Sequence, residues 1–160
     1  MSTKEKDVRA VLVHGGRAEA RQDGSAAIEA EHLLLALAAL PDNAVARLMR
    51  EAGLTREAIR AALDREWEQS LAVAGITVDV ETLPTATPNH DRTPHIGESA
   101  KLVLKRAMDN AAERGGGRIG ASNILVGLLD TKLGRVARAL DLTGIDRPTL
   151  RSRATEHPDG

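Results

Sequence analysis

Cysteine is absent from this 160-residue sequence, and the aromatic residues are reduced to Trp67, since Phe and Tyr do not occur. Without cysteine the chain forms neither disulfides nor thiolate metal sites, and thiol catalysis is excluded. With one aromatic ring it offers no platform on which nucleic-acid bases could stack. Its core must be built from Leu, Ile, Val, Ala and Met, a set that favours helices over strands. These absences predict a helical protein.

The charges nearly cancel, with 22 Lys and Arg against 23 Asp and Glu and a net charge of −1. Binding to nucleic acid through bulk charge requires a basic surplus, so nucleic acid is not the expected partner. No apolar run reaches the length of a bilayer span, and the segment 1–7 lacks the apolar core of a signal peptide. We therefore expect a cytoplasmic protein without a membrane partner.

The sequence contains an internal repeat with an offset of 91 residues. The run Glu31–Leu37 resembles Ser122–Leu128, and the 43 positions 18–60 align without gaps with 109–151, twelve of them identical. The identical pairs include Gly24/Gly115, Ile28/Ile119, Leu34/Leu125, Leu37/Leu128, Val45/Val136, Ala46/Ala137, Arg47/Arg138 and Gly53/Gly144. Because these residues set turns and core faces, we predict one domain over 1–160 built from two copies of a helical unit. The first copy covers about 4–71, a linker 72–95, and the second copy about 96–155.

Each copy is predicted to form four helices, which gives an all-α, pseudo-twofold bundle of about eight helices. Pro41 ends the second helix, Asp42 or Asn43 caps the third, Gly53 ends it, and Thr55 caps the fourth. The predicted helices span about 4–22, 30–40, 43–52, 55–71, 98–114, 122–131, 135–140 and 146–155.

The linker contains Pro84, Pro88 and Pro94, and its segment 76–81 alternates apolar and polar residues. Alternation of period two is a weak strand signal. The segment is either an extended arm on the surface or a strand whose free edge could pair with a partner.

The doubled motif resembles the Clp N-terminal (Clp repeat) domain, the module that receives substrates and adaptors in ClpA- and ClpC-type AAA+ unfoldases. The turn of that family reads Gly-His-x-x-Ile-Gly-Thr-Glu-His-Leu-Leu-Leu-Gly-Leu. The first copy keeps Gly24, Ile28 and the run Glu31–Leu37, but Ser25, Glu29 and Ala30 replace the family's residues. The second copy keeps, among others, Gly115 and Ile119, with Ser122-Asn123 in place of Glu-His. The likeness covers about residues 4–155.

The sequence contains no Walker A pattern, so no phosphate-binding loop of an ATPase is present. We therefore expect a stand-alone protein similar to a ClpC N-domain, although a piece of a longer chain would show the same sequence features. The resemblance implies that the partners are client proteins or adaptors. The domain would either deliver them to a Clp unfoldase or act as a decoy that binds ligands meant for that unfoldase.

In ClpC-like relatives the Glu of the Thr-Glu-His motif holds the guanidinium of a phosphorylated arginine. Glu31 matches that acid in the first copy, and Ser122 stands at its place in the second. The family's Thr before the first helix corresponds to Lys6 and Gly97. The resemblance therefore implies one phospho-arginine site, at Glu31 and Lys6, and a degenerate one at Ser122 and Gly97. The alternative is that Glu31 is only a favourable charge near a helix N-terminus.

A second family surface lies where the first helices of the two copies meet, and in actinobacterial ClpC-like domains it binds peptides and cyclic-peptide antibiotics. The matching positions are Ser2, Val13, Ile96, Lys101 and Leu104. Aromatic anchors of the family are lost at Ser2 and Ile96, which lowers the expected affinity because aromatic side chains supply much of the contact energy. Plain packing between helices is the alternative.

Other candidate sites carry weaker signals. The five histidines, at positions 14, 32, 90, 95 and 157, lack metal-ligand spacing, so we expect no metal, no cofactor and no catalytic residue. A small hydrolase would need Ser25 or Ser122 beside His32. A small DNA-binding regulator would use the basic residues of the last third, which otherwise form a solvated face. These are Arg135, Arg138, Arg147, Arg151 and Arg153.

Overall fold

The computed structural model describes residues 2–76 and 87–156, and over these residues the chain forms eight helices and one pair of two-residue strands. The all-α prediction is confirmed. The first helix is continuous and has three segments: α1 (Thr3–Arg9), a π-helical segment (Ala10–Gly16) and α2 (Arg17–Gln22). The other elements are β1 (Ala27–Ile28), α3 (Ala30–Ala38), α4 (Ala44–Glu51), α5 (Arg56–Val73), β2 (His95–Ile96), α6 (Glu98–Glu113), α7 (Ala121–Leu129), α8 (Arg135–Thr143) and α9 (Arg147–Glu156).

The helices of the second half begin at positions that match those of the first. α7, α8 and α9 each begin 91 residues after α3, α4 and α5. The glycines that are identical between the halves also share a backbone conformation, with φ of +66° at Gly24 and +78° at Gly115, and +87° at Gly53 and +72° at Gly144. Only glycine adopts this left-handed conformation without strain, which explains why these pairs are identical.

Local signals set most helix ends. Asn43, rather than Asp42, caps α4, because its Oδ1 accepts hydrogen bonds from the backbone N–H of Val45 at 2.9 Å and of Ala46 at 3.1 Å. Helix α3 ends at Ala38, two residues earlier than predicted, since Pro41 disfavours helical backbone in the residue before it. Helix α8 continues to Thr143, three residues beyond the prediction, and stops at Gly144.

The π segment packs on α3 and α6 packs on α7, while α3 and α7 contact each other at the centre of the bundle. The two halves also exchange contacts at the edges, where α5 packs on α8 and α4 on α9. The largest fully buried side chains are aliphatic or Met, as the composition predicts: Leu33, Leu34, Leu35, Leu37, Met49, Leu54, Ile59, Leu63, Ile124, Leu125, Leu128 and Leu140.

Glycine allows close helix–helix packing at two places, between the first helix and α3 and between α6 and α7. A Cβ atom added at Gly15 would lie 2.7 Å from the Cβ of Ala36 on α3, and one added at Gly127 on α7 would lie 2.6 Å from the carbonyl oxygen of Val103 on α6. The sequence predicts only that Gly15-Gly16 weakens the first helix, by about 1 kcal/mol per glycine. The structure shows that Gly15 also makes room for α3.

The two strands were not predicted. β1 and β2 pair in parallel, with Ala27 opposite His95 and Ile28 opposite Ile96. The end of the linker therefore lies against the first half, and Gly97 N–H donates to the Ile28 carbonyl at 2.9 Å. Of the alternating segment 76–81, Ile76 is exposed and outside the helix, while 77–81 lie outside the described residues. The strand-or-arm alternative for that segment stays a prediction.

Candidate functional site

The carboxylate of Glu31 is occupied by an arginine from the other half of the chain. Glu31 lies in the first turn of α3, with its side chain only 12% exposed, and its Oε1 is 3.3 Å from Nη1 of Arg135 at the start of α8. Arg135 is 104 positions away in the sequence, so no local pattern could have indicated this pair. Glu31 is therefore more than a favourable charge at a helix N-terminus: it already holds a guanidinium.

Glu66 on α5 holds Arg135 from the other side. Its Oε2 lies 3.4 Å from the Arg135 Nε, and its Oε1 accepts hydrogen bonds from Arg138 Nε at 2.8 Å and from Ser70 Oγ at 2.6 Å. Burial opposes ionisation of Glu66, but these hydrogen bonds and the two guanidinium charges outweigh it, and its pKa lies below the ordinary value of 4.5. The result is an ion-pair network across the α3, α5 and α8 junction.

A second carboxylate, Glu29, lies beside the N-terminus of α6. Its Oε2 accepts from the backbone N–H of Ser99 at 3.3 Å and from the Ser99 hydroxyl, whose oxygen in turn accepts from Ala30 N–H at 2.8 Å. A Cβ atom at Gly97, the N-cap of α6, would overlap this carboxylate. We call this arrangement of Glu29, Glu31 and Gly97 the first corner.

The structure corrects how the predicted site residues combine. Gly97, assigned to the second-copy site with Ser122, lies instead in the first corner against Glu29. Lys6, assigned to the first-copy site, is exposed within α1, which packs on α7 of the second half. Lys6 is thus inside the first helix rather than ahead of it, because that helix begins at Thr3. Residues of the two copies therefore lie together at these sites, and the sequence of one copy considered alone does not show this.

Ser122 and Asn123 are buried at the N-terminus of α7. Asn123 replaces the motif histidine and repeats its contact: its Oδ1 accepts from Gly120 N–H at 2.8 Å, as His32 Nδ1 accepts from Glu29 N–H at 2.9 Å. The Nδ2 of Asn123 donates to Asn110 Oδ1 at 2.8 Å. Ser122 supplies no charge. We call this end of α7, with the facing part of α1, the second corner.

Both ring nitrogens of His32 are engaged, which argues against a hydrolase. Nδ1 accepts from the backbone of Glu29, so Nε2 carries the proton and donates to Asp23 Oδ2 at 2.9 Å. Burial opposes ionisation of Asp23, but the His32 hydrogen bond and the charge of Arg60 outweigh it and lower its pKa below 3.8. The Ser25 hydroxyl donates to the Ala27 carbonyl at 2.6 Å. His32 therefore holds the start of α3 in place rather than acting as a base.

The five predicted groove residues lie on the two outer helices and on β2. Ser2 caps α1, with its Oγ accepting from Glu5 N–H at 3.2 Å. Val13 and Leu104 are half-buried on the π segment and on α6, while Ile96 and Lys101 are exposed. Lys101 pairs with Glu98 at 3.2 Å.

The basic residues of the last third do not form a free cationic face. Arg135 and Arg138 hold Glu66, and each of the other three pairs with a carboxylate within 2.8 Å. These pairs are Arg147–Asp141, Arg151–Asp130 and Arg153–Glu51. Their charges are compensated, which disfavours a DNA-binding surface here.

The residues 2–76 and 87–156 contain neither a cluster suited to a metal ion nor a helix suited to a membrane. No group of three or more His, Asp or Glu side chains is arranged to hold a metal ion there. None of the helices in this part of the chain combines the length and apolar character that crossing a membrane requires.

Solved structures with the same fold include the N-terminal domains of ClpD and of Hsp104. The N-terminal domain of the chaperone ClpD from Arabidopsis thaliana is 22% identical, with a TM-score of 0.64 over 95% of this chain and 94% of that chain. The Hsp104 N-terminal domain from Candida albicans is 16% identical, with a TM-score of 0.64 over 94% and 87%. No curated protein sequence matches the chain significantly.

The sequence itself carries the family signature. The family model of the Clp repeat (R) N-terminal domain matches residues 7–143, which is most of the chain and spans both copies of the motif. The resemblance inferred from the doubled motif is confirmed, and the chain belongs to the Clp N-terminal domain family.

Proposed function

We propose that this chain is a non-catalytic module that binds flexible segments of client proteins or adaptors, in the cytoplasm, and presents them to a Clp unfoldase or withholds them as a decoy. The family supports a protein-binding role. The observation that carries the proposal is a set of apolar side chains on β2 and α6 that are exposed or half-buried, which we call the strip. Ile96 is 37% and Met108 56% exposed, and Leu104 lies one helical turn before Met108 on the same face.

The strip includes two of the predicted groove residues and gives a client apolar surface to bury. Apolar side chains that stay exposed next to one another on the surface of a small domain mark interaction sites. The proposed mechanism is burial of a client's apolar side chains against this strip, with Lys101 beside it selecting charge. Cyclic peptides would compete for the same surface.

This role can be tested with fluorescein-labelled casein, a largely unstructured protein, by fluorescence anisotropy. We expect Leu104→Asp to weaken binding at least about tenfold, since a charge within the strip opposes apolar contact. If Leu104→Asp unfolds, Met108→Asp replaces it as the test variant, because Met108 is exposed. Leu133→Asp is the matched control, because Leu133 is 88% exposed on the turn before α8. Equal binding by all variants, or an equal loss in the control, would contradict the proposal.

Binding of phospho-arginine at the first corner would require Arg135 to leave Glu31. The Glu29 carboxylate nearby further opposes a phosphate group. We therefore expect weak binding by the wild-type chain, and a higher affinity in Arg135→Ala, where no internal guanidinium competes. Glu31→Ala added to Arg135→Ala should remove the gain.

Calorimetric titration with free phospho-arginine measures this directly. Arg138→Ala is the matched control, because Arg138 contacts Glu66 and has no contact with Glu31 among the residues described. An Arg135→Ala variant that binds no better than the wild-type chain would contradict a guanidinium site at Glu31.

A further inference from the structure

The second corner contains a cavity of about 110 Å³. It lies between the start of the first helix, the end of α6 with the turn that follows, and the start of α7. The lining residues are Lys4, Ala111, Arg114, Gly116, Arg118, Ser122 and Asn123. Three of these seven are cationic and none is acidic.

The cationic charges in this cavity are largely uncompensated. Lys4 forms no ion pair with any residue of the described part of the chain. Arg114 donates from Nη2 to the Thr155 carbonyl at 2.8 Å, which is a neutral acceptor. Arg118 pairs with Glu5, and both side chains are well exposed, at 69% and 41%. An exposed pair of this kind is weak and easily exchanged for another anion.

Several equivalent positions of the first corner are acidic. Four acids lie around the start of α3, and the positions 91 residues later hold no acid. The pairs are Glu19 and Asn110, Asp23 and Arg114, Glu29 and Gly120, and Glu31 and Ser122. Four acidic positions of the first corner are thus neutral in the second, except for Asp23, whose equivalent is the basic Arg114.

The first corner contains its own anion, and the second lacks one at the same place. The Glu29 carboxylate accepts hydrogen bonds at the N-terminus of α6. At its equivalent position Gly120 has no side chain, and the positive end of α7 reaches the cavity through Ser122 and Asn123. The second corner therefore presents cations and a helix N-terminus around a cavity that is partly open to solvent.

We propose that this cavity binds a phosphate group, either free or as a phosphomonoester on a peptide. A phosphate carries a charge of about −1.5 to −2 and three acceptor oxygens at neutral pH, which suits three cationic side chains better than a carboxylate does. Arginine forks also match the geometry of phosphate oxygens. The absence of an acid from the lining excludes the guanidinium half of a phospho-arginine from the same cavity. A nucleic-acid backbone fits less well, because the cations line one small cavity and the chain has no basic surplus.

The test is calorimetric titration of the whole chain with inorganic phosphate, with a short phosphoserine peptide and with the same peptide unphosphorylated. We expect saturable binding of phosphate, of the phosphopeptide, or of both, and none of the unphosphorylated peptide. Binding of inorganic phosphate alone would identify free phosphate as the ligand, and tighter binding of the phosphopeptide would identify a modified client. Removing two cations in Lys4→Met/Arg118→Gln should weaken binding at least about tenfold.

The matched control is Lys132→Met/Arg50→Gln, which removes the same net charge from exposed positions of the α7–α8 turn and of α4. It should leave the affinity within about twofold, since surface charges away from the cavity are screened by salt. Lys4→Met alone serves if the double variant unfolds. The proposal is overturned by a lack of saturable binding to either phosphate probe, or by an equal loss in the control. Acetate, or an oligonucleotide without a terminal phosphate, binding as well as the phosphate probes would also overturn it.

Discussion

At the scale of single residues, the side chains at positions 29 and 97 differ in size from those of the family motif: the one at 29 is larger and the one at 97 is smaller. The resemblance to the family motif implies a Gly where this chain has Glu29, and a Thr where it has Gly97. In the structure the Glu29 carboxylate occupies the space that a side chain at position 97 would need. The two substitutions therefore compensate each other, and together they put a negative charge at the first corner.

This compensation predicts that Gly97→Ala destabilises the protein by about 1–3 kcal/mol, because the new Cβ displaces the Glu29 carboxylate from Ser99. Backbone strain does not contribute, since Gly97 has a φ of −78° that alanine also adopts. Urea denaturation followed by circular dichroism measures the change. In a Glu29→Ala background the cost should largely vanish.

Gly117→Ala is the control for that experiment. Nothing lies within 4 Å of a Cβ at Gly117, so its stability should be unchanged or higher by up to about 1 kcal/mol. A Gly97→Ala variant as stable as Gly117→Ala would show that the contact with Glu29 is unimportant.

Of the residues in the two corners, the sequence indicated those within the repeated motif and missed their partners. Glu31, Ser122 and Gly97 were found because they align with a pattern. Arg135, Glu66 and Lys4 were missed because they reach the corners from other helices. One signal was available in the sequence: comparison at the 91-residue offset places Gly120 opposite Glu29 and Arg114 opposite Asp23.

At the scale of elements, the first helix shows how packing overrides propensity. Gly15 and Gly16 predict a weak point, yet the helix is continuous from 3 to 22, with π-helical geometry at Ala10–Gly16. The segment packs closely on α3, where Gly15 lies against Ala36. Burial of this face stabilises a stretch that is a poor helix by itself.

We predict that Gly15→Ala lowers stability by about 1–3 kcal/mol despite its better helix propensity, because a Cβ there would lie 2.7 Å from the Cβ of Ala36. Ala36→Gly in the same chain should restore part of the loss by making room. Thermal unfolding of the two single variants and the double variant measures the coupling between the two positions. A single variant more stable than wild type would mean that propensity, not packing, dominates here.

The element ends that were predicted correctly depend on local chemistry alone. Asn43 and Thr55 accept hydrogen bonds from backbone N–H groups two or three residues ahead, and Gly53 needs only a positive φ. The predicted ends of α3 and α8 were off by two or three residues, because α3 stops ahead of Pro41 and α8 continues up to Gly144, which adopts the left-handed conformation. β1 and β2 were missed because two residues each give no periodic pattern.

At the scale of the whole molecule, buried acids join the two halves. Glu66 on α5 of the first half holds Arg135 and Arg138 on α8 of the second, and Glu31 adds a contact from α3. This electrostatic junction lies where α5 packs on α8. Its strength depends on Glu66 being ionised.

The lowered pKa values of Glu66 and Asp23 predict how stability depends on pH. Because each folded pKa lies below its ordinary value of 4.5 or 3.8, the unfolded chain binds more protons in this range. The free energy of unfolding therefore rises with pH through it, and falls as acid protonates the folded carboxylates. We expect a loss of stability below about pH 5 in urea denaturation series.

Glu66→Gln should flatten that pH dependence, because the variant cannot ionise at position 66. The control is Glu68→Gln, an exposed position on the same helix, which should leave the slope unchanged. Equal slopes in Glu66→Gln and the wild-type chain would show that the junction contributes nothing to acid sensitivity.

The amino-acid sequence by itself determined the fold class, the doubled helical unit, most helix caps and the family. Each of these follows from neighbours along the chain or from a repeat at a fixed offset, so contacts between distant residues are not needed to see them. Only the tertiary structure decided which copy supplies which side of each corner. The N-terminus of α6 meets α3, and that of the first helix meets α7, so that Arg135 neutralises Glu31 while Lys4, Arg114 and Arg118 surround a cavity without an acid. Such pairings depend on how the two copies pack together, which local propensity and periodicity do not encode.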